Sequence, residues 1–258
     1  MAAGSLTLVG CGSSTSTSSN SAPASSPPSS PSPSAVHWGY SATDGPEQWG
    51  SLSPEFAACD NGKVQSPIAI TTPKPVSRPA PVLAYREAEA EISNNGHTVL
   101  ALPGPGNTMT VDGVSYGLTE MHFHTPSENT INGQQFPAEI HLKHESAQGK
   151  FAVLAIMLQQ GGQQNPAWQP FIEQATDSVE GATTVTTLDW PAMMPKALQT
   201  VRFPGSLTTP ACTEGVQWLV ATSPVTVSED QLAALRKVFG DNARPVQPVN
   251  GRPVTIDQ

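Results

Sequence analysis

Positive charge is scarce in this chain: 12 Lys and Arg stand against 21 Asp and Glu in 258 residues, for a formal net charge of −9 and a pI near 5.0. Phosphate recognition needs clustered Lys and Arg, so the balance argues against a nucleic-acid partner. Cysteine is scarce too. Three thiols are too few for a disulfide scaffold, and no C-x-x-C spacing offers a thiolate metal site or a redox pair. No segment reaches the roughly 20 apolar residues that a membrane-crossing helix needs. Long helices are disfavoured, because 26 prolines are spread along the chain. What is present, 37% hydrophobic residues, suffices for a core. Without its N-terminal stretch the chain keeps roughly 220 residues, enough for one large β-rich domain or two small ones.

The three cysteines read separately. Leu8-Val9-Gly10-Cys11 resembles the lipobox of bacterial lipoproteins, although the residues before it contain no Lys or Arg and are too short for a full signal. From Cys11 to Ala35 the chain is Ser, Thr, Pro, Gly, Ala and Asn, a composition that cannot bury enough apolar surface to fold and would serve as a spacer. The expectation is a signal remnant and spacer over residues 1–35, acylated at Cys11, and a domain over 36–258 in a bacterial cell envelope, lipid-anchored to membrane or periplasmic. An incidental cysteine in a tail is the alternative. In an oxidising compartment Cys59 and Cys212 can pair; two buried free thiols are the other reading.

From Val36 onward, short β-type runs alternate with Gly, Pro, Asn and Asp, the pattern of a multi-stranded domain without internal repeats. Phe151 to Leu158 is continuously apolar, as a strand buried on both faces would be, and Val216 to Ala221 is similar. Ser228 to Phe239 predicts a helix: Ser228 as N-cap, Gln231 completing a capping box, apolar Leu232, Leu235, Val238 and Phe239, and Gly240 as the stop. Shorter helices are expected near Pro166 to Thr176 and Pro191 to Leu198.

Chemistry concentrates in two alternating segments. In Glu120-Met121-His122-Phe123-His124 a strand would point both imidazoles to one face and Met121 and Phe123 to the other. Seventeen residues after His124, His141 lies in Glu139-Ile140-His141-Leu142-Lys143-His144, flanked by apolar neighbours. From an adjacent strand it could face the first pair. Neutral imidazoles suit Zn²⁺, and three protein ligands leave one coordination position open, which marks a catalytic centre. Any one histidine alone reads better as a hydrogen-bonded core or surface residue. Five of the six, however, fall in these segments or in Asn94-Asn95-Gly96-His97.

These residues resemble the α-carbonic anhydrases from about His37 to the C-terminus. The likeness includes His37-Trp38-Gly39-Tyr40, Gln65-Ser66-Pro67-Ile68, Asn94-Asn95-Gly96-His97, Ser127-Glu128, Ala138-Glu139-Ile140-His141-Leu142, Ser206-Leu207-Thr208-Thr209-Pro210 and Asn242-Ala243-Arg244-Pro245. The resemblance implies His122, His124 and His141 as zinc ligands, with zinc lowering the pKa of a bound water to about 7. It implies Thr208 as the residue that orients the nucleophile while donating to Glu128, and an apolar pocket for CO₂ at Val153, Leu207, Val216 and Trp218. His97 would be the proton shuttle, since histidine's unperturbed pKa near 6.5 lets it take and release protons at neutral pH. Tyr40, Asn95 and Thr209 would order the waters, Thr209 also bordering substrate. Glu139 would accept the outer N–H of His141 and Glu120 that of His122. Glu120 stands where vertebrate members usually have Gln, Asn129 where many have His, and Lys143 where an apolar residue is common.

The fold implied is α/β and mainly β: a single domain around a central ten-stranded, mainly antiparallel twisted sheet with short surface helices. The activity implied is reversible hydration of CO₂ to bicarbonate and a proton, inhibited by sulfonamides and small anions, in a monomer or dimer that meets the membrane only through its lipid. Two rivals remain: a catalytically silent binding module on the same fold, and a cupin-type metalloenzyme reading of His122-x-His124-x-x-x-Glu128.

Overall fold

The computed structural model describes residues 36–258; the lipobox-like stretch, Cys11 and the spacer lie outside the described residues. Thirteen strands form one sheet. Ten of them follow a continuous path in the spatial order Thr183–Leu188, Ala88–Asn94, Val99–Pro103, Val114–His124, Ala138–Ser146, Phe151–Gly161, Glu214–Ala221, Thr200–Ser206, Thr255–Asp257 and Lys74–Val76. The remaining three, Val82–Ala84, Thr108–Val111 and Val225–Ser228, attach beside this path. Most pairs are antiparallel; Phe151–Gly161 runs parallel to Glu214–Ala221 and to Val225–Ser228, and Thr255–Asp257 parallel to Lys74–Val76. The architecture is the mainly β single domain expected, with the three side strands added.

The sheet has a core on each face, which explains the unbroken apolar run from Phe151. Leu154, Ile156 and Leu158 join Met121, Phe123, Ile140, Leu142, Trp168, Phe171 and Trp190 in one cluster. Val153, Ala155 and Met157 alternate to the other face, with Ile68, Phe203, Trp218 and Val220. The helix Glu229–Phe239 closes the first core through Leu235. Ser228 Oγ accepts from the Gln231 amide at 3.2 Å, and Gln231 Oε1 accepts from the Ser228 amide at 3.1 Å, so two otherwise orphaned donors are satisfied. Gly240 ends the helix at φ 68°, where a Cβ would be strained.

Two expected helices differ in extent. One spans Gln169–Asp177. The other is a single turn, Trp190–Met193, shorter than the expected Pro191 to Leu198. Pro195 disfavours the helical conformation at Met194, which is extended (ψ 155°).

Two buried polar devices tie the sheet together. Asp257 Oδ2 accepts from Thr200 Oγ1 at 2.6 Å and from Arg202 Nε at 2.9 Å, while its Oδ1 accepts from Arg78 Nε at 2.6 Å. His144, fully buried, lies with Nε2 2.5 Å from the Tyr85 hydroxyl. Burial pushes the His144 pKa down to about 4.

Cys59 and Cys212 are joined by a disulfide, Cα atoms 5.0 Å apart, and pack with Trp49, Trp38 and Tyr40. It closes a loop of 153 residues, for which chain-entropy models give about 5 kcal/mol. Replacing both cysteines by Ser should therefore lower unfolding free energy by about 2–5 kcal/mol in urea titrations. Stability should also fall with pH between about 6.5 and 4, because the unfolded chain takes up a proton that buried His144 refuses. The His144 contribution is on the order of 3 kcal/mol and should vanish from this pH dependence in His144→Gln, read as the difference between the two proteins' denaturation curves.

Candidate metal centre

The register between Val114–His124 and Ala138–Ser146 builds the site. It pairs Glu120 with Lys143, His122 with His141, and His124 with Glu139. Because alternate residues share a face, these six side chains form a grid of two columns and three rows on one side of the sheet. The next strand extends the rows with Val153, Ala155 and Met157, and Trp218 follows Val153 one strand further on. A bulge between Leu118 and Glu120 resets the strand just before the site.

The three imidazoles converge: one ring nitrogen from each of His122, His124 and His141 lies within 4.8 Å of the other two. His122 Nε2 and His141 Nδ1 are 3.3 Å apart. Each outer nitrogen has an oxygen close by; for His124 and His141 the contact is a hydrogen bond, whereas that of His122 is close without being aligned for one. Glu120 Oε1 is 2.8 Å from His122 Nδ1, the Asn242 carbonyl 2.8 Å from His124 Nδ1, and Glu139 Oε1 3.1 Å from His141 Nε2. An imidazole that donates outward presents a lone pair inward. His124 Nε2 is buried and has no hydrogen-bond partner in the protein, an orphan that a metal ion would satisfy. Burial, reinforced by the neighbouring imidazoles, holds His124 and His141 well below the ordinary histidine range, so both are neutral donors at pH 7. Three inward nitrogens and an open fourth side fit Zn²⁺.

The carboxylates behind the histidines are fully buried. Glu139 Oε2 accepts from the amides of Glu128 and Asn129, both at 2.8 Å, and its Oε1 accepts from Asn129 Nδ2 at 2.6 Å. Burial pushes it above the usual carboxylate range, and these hydrogen bonds oppose the shift. Glu128 is also pushed well up by burial, opposed by the Thr208 hydroxyl and by the Arg244 amide, which donates to Oε1 at 2.8 Å. Burial raises Glu120 as well, but His122 and the Lys143 ammonium, 2.9 Å from Oε2, outweigh it and bring its pKa to about 2.

In front of the imidazoles lies a cavity of about 210 Å³. His122, His141, Thr208 and Thr209 line it beside Asn95 and Glu120, with Val153, Leu207 and Trp218 as apolar wall and Leu100 and Lys143 completing the lining. Val216 packs with Val153 and Trp218 but borders a different cavity with Arg78 and Phe203. Tyr40 and His97 line a neighbouring cavity of about 360 Å³. The His97 ring stacks on Trp38 at 3.7 Å, and its Nε2 is 2.8 Å from the Trp38 carbonyl. Burial, with Glu128 nearby, raises Tyr40 well above the ordinary phenol range. Asn95 Oδ1 accepts from the amides of His97 and Thr98, both at 2.9 Å, and so shapes the turn that carries His97.

The loop with Thr208 and Thr209 is closed by Leu207 donating to the Thr213 carbonyl and Cys212 to that of Thr209, and the disulfide anchors it. Arg244 links this anchor to the site: its amide holds Glu128 and its Nη2 donates to the Cys59 carbonyl at 2.8 Å. Asn242 was quoted above only within a motif. It is a hub whose Oδ1 accepts from the Thr125 amide and whose Nδ2 reaches the carbonyls of His97 and Phe123, beyond its bond to His124. Glu128, the would-be cupin ligand, lies behind His124 and His141, and the third inward group comes from His141.

Comparison with known proteins agrees with this geometry. The family model for eukaryotic-type carbonic anhydrase matches residues 44–258. Carbonic anhydrase of Pectobacterium carotovorum is 43% identical over 223 residues, covering 84% of this chain and 90% of that protein. Carbonic anhydrase of Klebsiella pneumoniae is 41% identical over 226 residues, covering 85% and 91%. The solved α-carbonic anhydrase of Thermovibrio ammonificans, in complex with the inhibitor sulfanilamide, superposes with a TM-score of 0.81 at 38% identity, over 86% of this chain and 99% of that one. With family model, relatives and fold in agreement, the chain belongs to the eukaryotic-type, or α, carbonic anhydrase family.

Proposed function

We propose that this protein catalyses the reversible hydration of CO₂ to bicarbonate and a proton, with Zn²⁺ held by His122, His124 and His141. The observation that carries the reading is the inward convergence of three imidazoles, two of them hydrogen-bonded outward and the third with a carboxylate oxygen 2.8 Å from its outer nitrogen. Bound there, zinc supplies Lewis acidity that brings the pKa of a coordinated water to about 7.

The chain's residues supply the rest. A divalent charge beside Glu128 favours its ionised form, which then accepts the one hydrogen bond the Thr208 hydroxyl can donate. Thr208 Oγ is left as an acceptor toward the cleft, and so orients the attacking water. Val153, Leu207 and Trp218 give CO₂ a dry wall. Thr209 and Asn95 offer polar contacts for waters leading outward. His97, with Nε2 on a carbonyl, keeps Nδ1 to accept a proton and pass it to buffer. Sulfonamides and small anions would compete at the open metal position. A silent binding module would have no use for this complete set.

The disulfide supports a site of action outside the cytoplasm, where such bonds persist. In our reading Cys11 is acylated and tethers the domain to a bacterial envelope. Mass spectrometry of the mature N-terminus checks this: an unmodified Cys11 retained after Gly10 would refute it.

Purified protein should bind one zinc per chain and hydrate CO₂ in stopped-flow assays, and chelation should abolish activity until zinc is restored. Zinc uptake without hydration would favour the binding module. Thr208→Val should lower kcat/KM by about a hundredfold with zinc retained; zinc loss would show that Thr208 has another role. His97→Ala should lower kcat in weak buffer by about tenfold or more, leave kcat/KM unchanged, and recover with added imidazole.

A further inference from the structure

The most solvent-accessible end of the grid holds a charged pair. Glu120 and Lys143 are direct cross-strand partners, and beyond Lys143 the same row continues into Val153 and Trp218, the dry wall of the cleft. The two oxygens of Glu120 are divided between neighbours. Oε1 lies 2.8 Å from His122 Nδ1, and Oε2 accepts from Lys143 Nζ at 2.9 Å. All three side chains are largely buried, with exposures of 14% for His122, 19% for Glu120 and 24% for Lys143. The ammonium also sits 5.6 Å from the centre of the Phe151 ring.

Each partner would be a liability alone. An unpaired ammonium here would place a positive charge two residues from His141, on the same face of the strand. An unpaired carboxylate would pull hard on the His122 N–H, make that imidazole a stronger donor, and wet the wall that must receive CO₂. Joined, they present His122 with an acceptor whose charge is partly withdrawn, closer in strength to a neutral amide. The lysine stem meanwhile keeps methylenes in the row beside Val153.

We propose that Lys143 acts on the metal centre through Glu120: by binding Oε2 it tempers the pull of the carboxylate that lies beside His122 Nδ1, and so sets how tightly the three histidines hold their metal. The inference rests on the zinc-site reading above and concerns one ligand's support.

The test is a zinc dissociation constant from chelator-buffered titration of the purified full chain, with the thermal midpoint of each metal-free variant as a check on folding. Glu120→Gln, which leaves the ammonium uncompensated, should weaken zinc binding about tenfold. Lys143→Met, which frees the carboxylate, should tighten it by roughly three- to tenfold. The double variant Glu120→Gln/Lys143→Met should return within about threefold of wild type, and Lys143→Arg should match wild type, since the opposed effects cancel and the charge is kept. Unchanged or weaker zinc binding in Lys143→Met, with its metal-free midpoint unmoved, overturns the role of Lys143 and leaves the metal centre standing. If wild type takes up no zinc, both readings fall.

Discussion

The structure depends on one cross-strand alignment, His122 opposite His141. Side chains on a strand alternate with a period of two, so a slip of one residue would drive the imidazoles into the core that holds Met121, Phe123, Ile140 and Leu142, and bring those apolar groups to the cleft. Both faces resist the slip. Fully buried apolar residues specify one side, and on the other Glu120 meets Lys143 while His124 meets Glu139. The alignment that makes the sheet stable is thus the alignment that makes it able to hold a metal.

Behind the alignment lies a layered use of burial. Two of the imidazoles, His124 and His141, are buried where charge is costly and stay neutral, and the carboxylates of Glu128 and Glu139 are buried beside them. Those carboxylates are bearable because backbone amides serve them: Glu139 receives two, from Glu128 and Asn129, and Glu128 receives that of Arg244. Chain segments distant in sequence therefore converge on the same acids. Rigidity of the ligand set follows from these peptide donors as much as from the packing.

The sequence showed the site more clearly than its surroundings. Alternation in Glu120 to His124 and Glu139 to His144 was enough to place the ligands, because a strand's side-chain direction is a local property. Ser228, Gln231 and Gly240 marked their helix for the same reason: capping is settled within a few residues. Family resemblance implied a ten-stranded sheet, but the strand order and the three side strands were not legible, since pairing such as that of Thr200–Ser206 with Thr255–Asp257 depends on contacts far apart in the chain. Asn242 and Arg244 were visible as a motif, but their work is done through backbone atoms, which residue identity does not advertise. The position of His97 against Trp38 follows from a side-chain torsion that no spacing encodes.

The disulfide has a consequence beyond its effect on the unfolded chain. Its two ends, at positions 59 and 212, enclose His122, His124 and His141, so every candidate metal ligand belongs to one covalent ring. A protease that nicks one exposed turn inside that ring cuts the thread without freeing a fragment. Both pieces stay joined through sulfur, and a ligand-bearing segment leaves only after a second cut. In surroundings rich in proteases and poor in chaperones, such a ring gives the three-histidine site a longer lifetime than its folding free energy alone would provide.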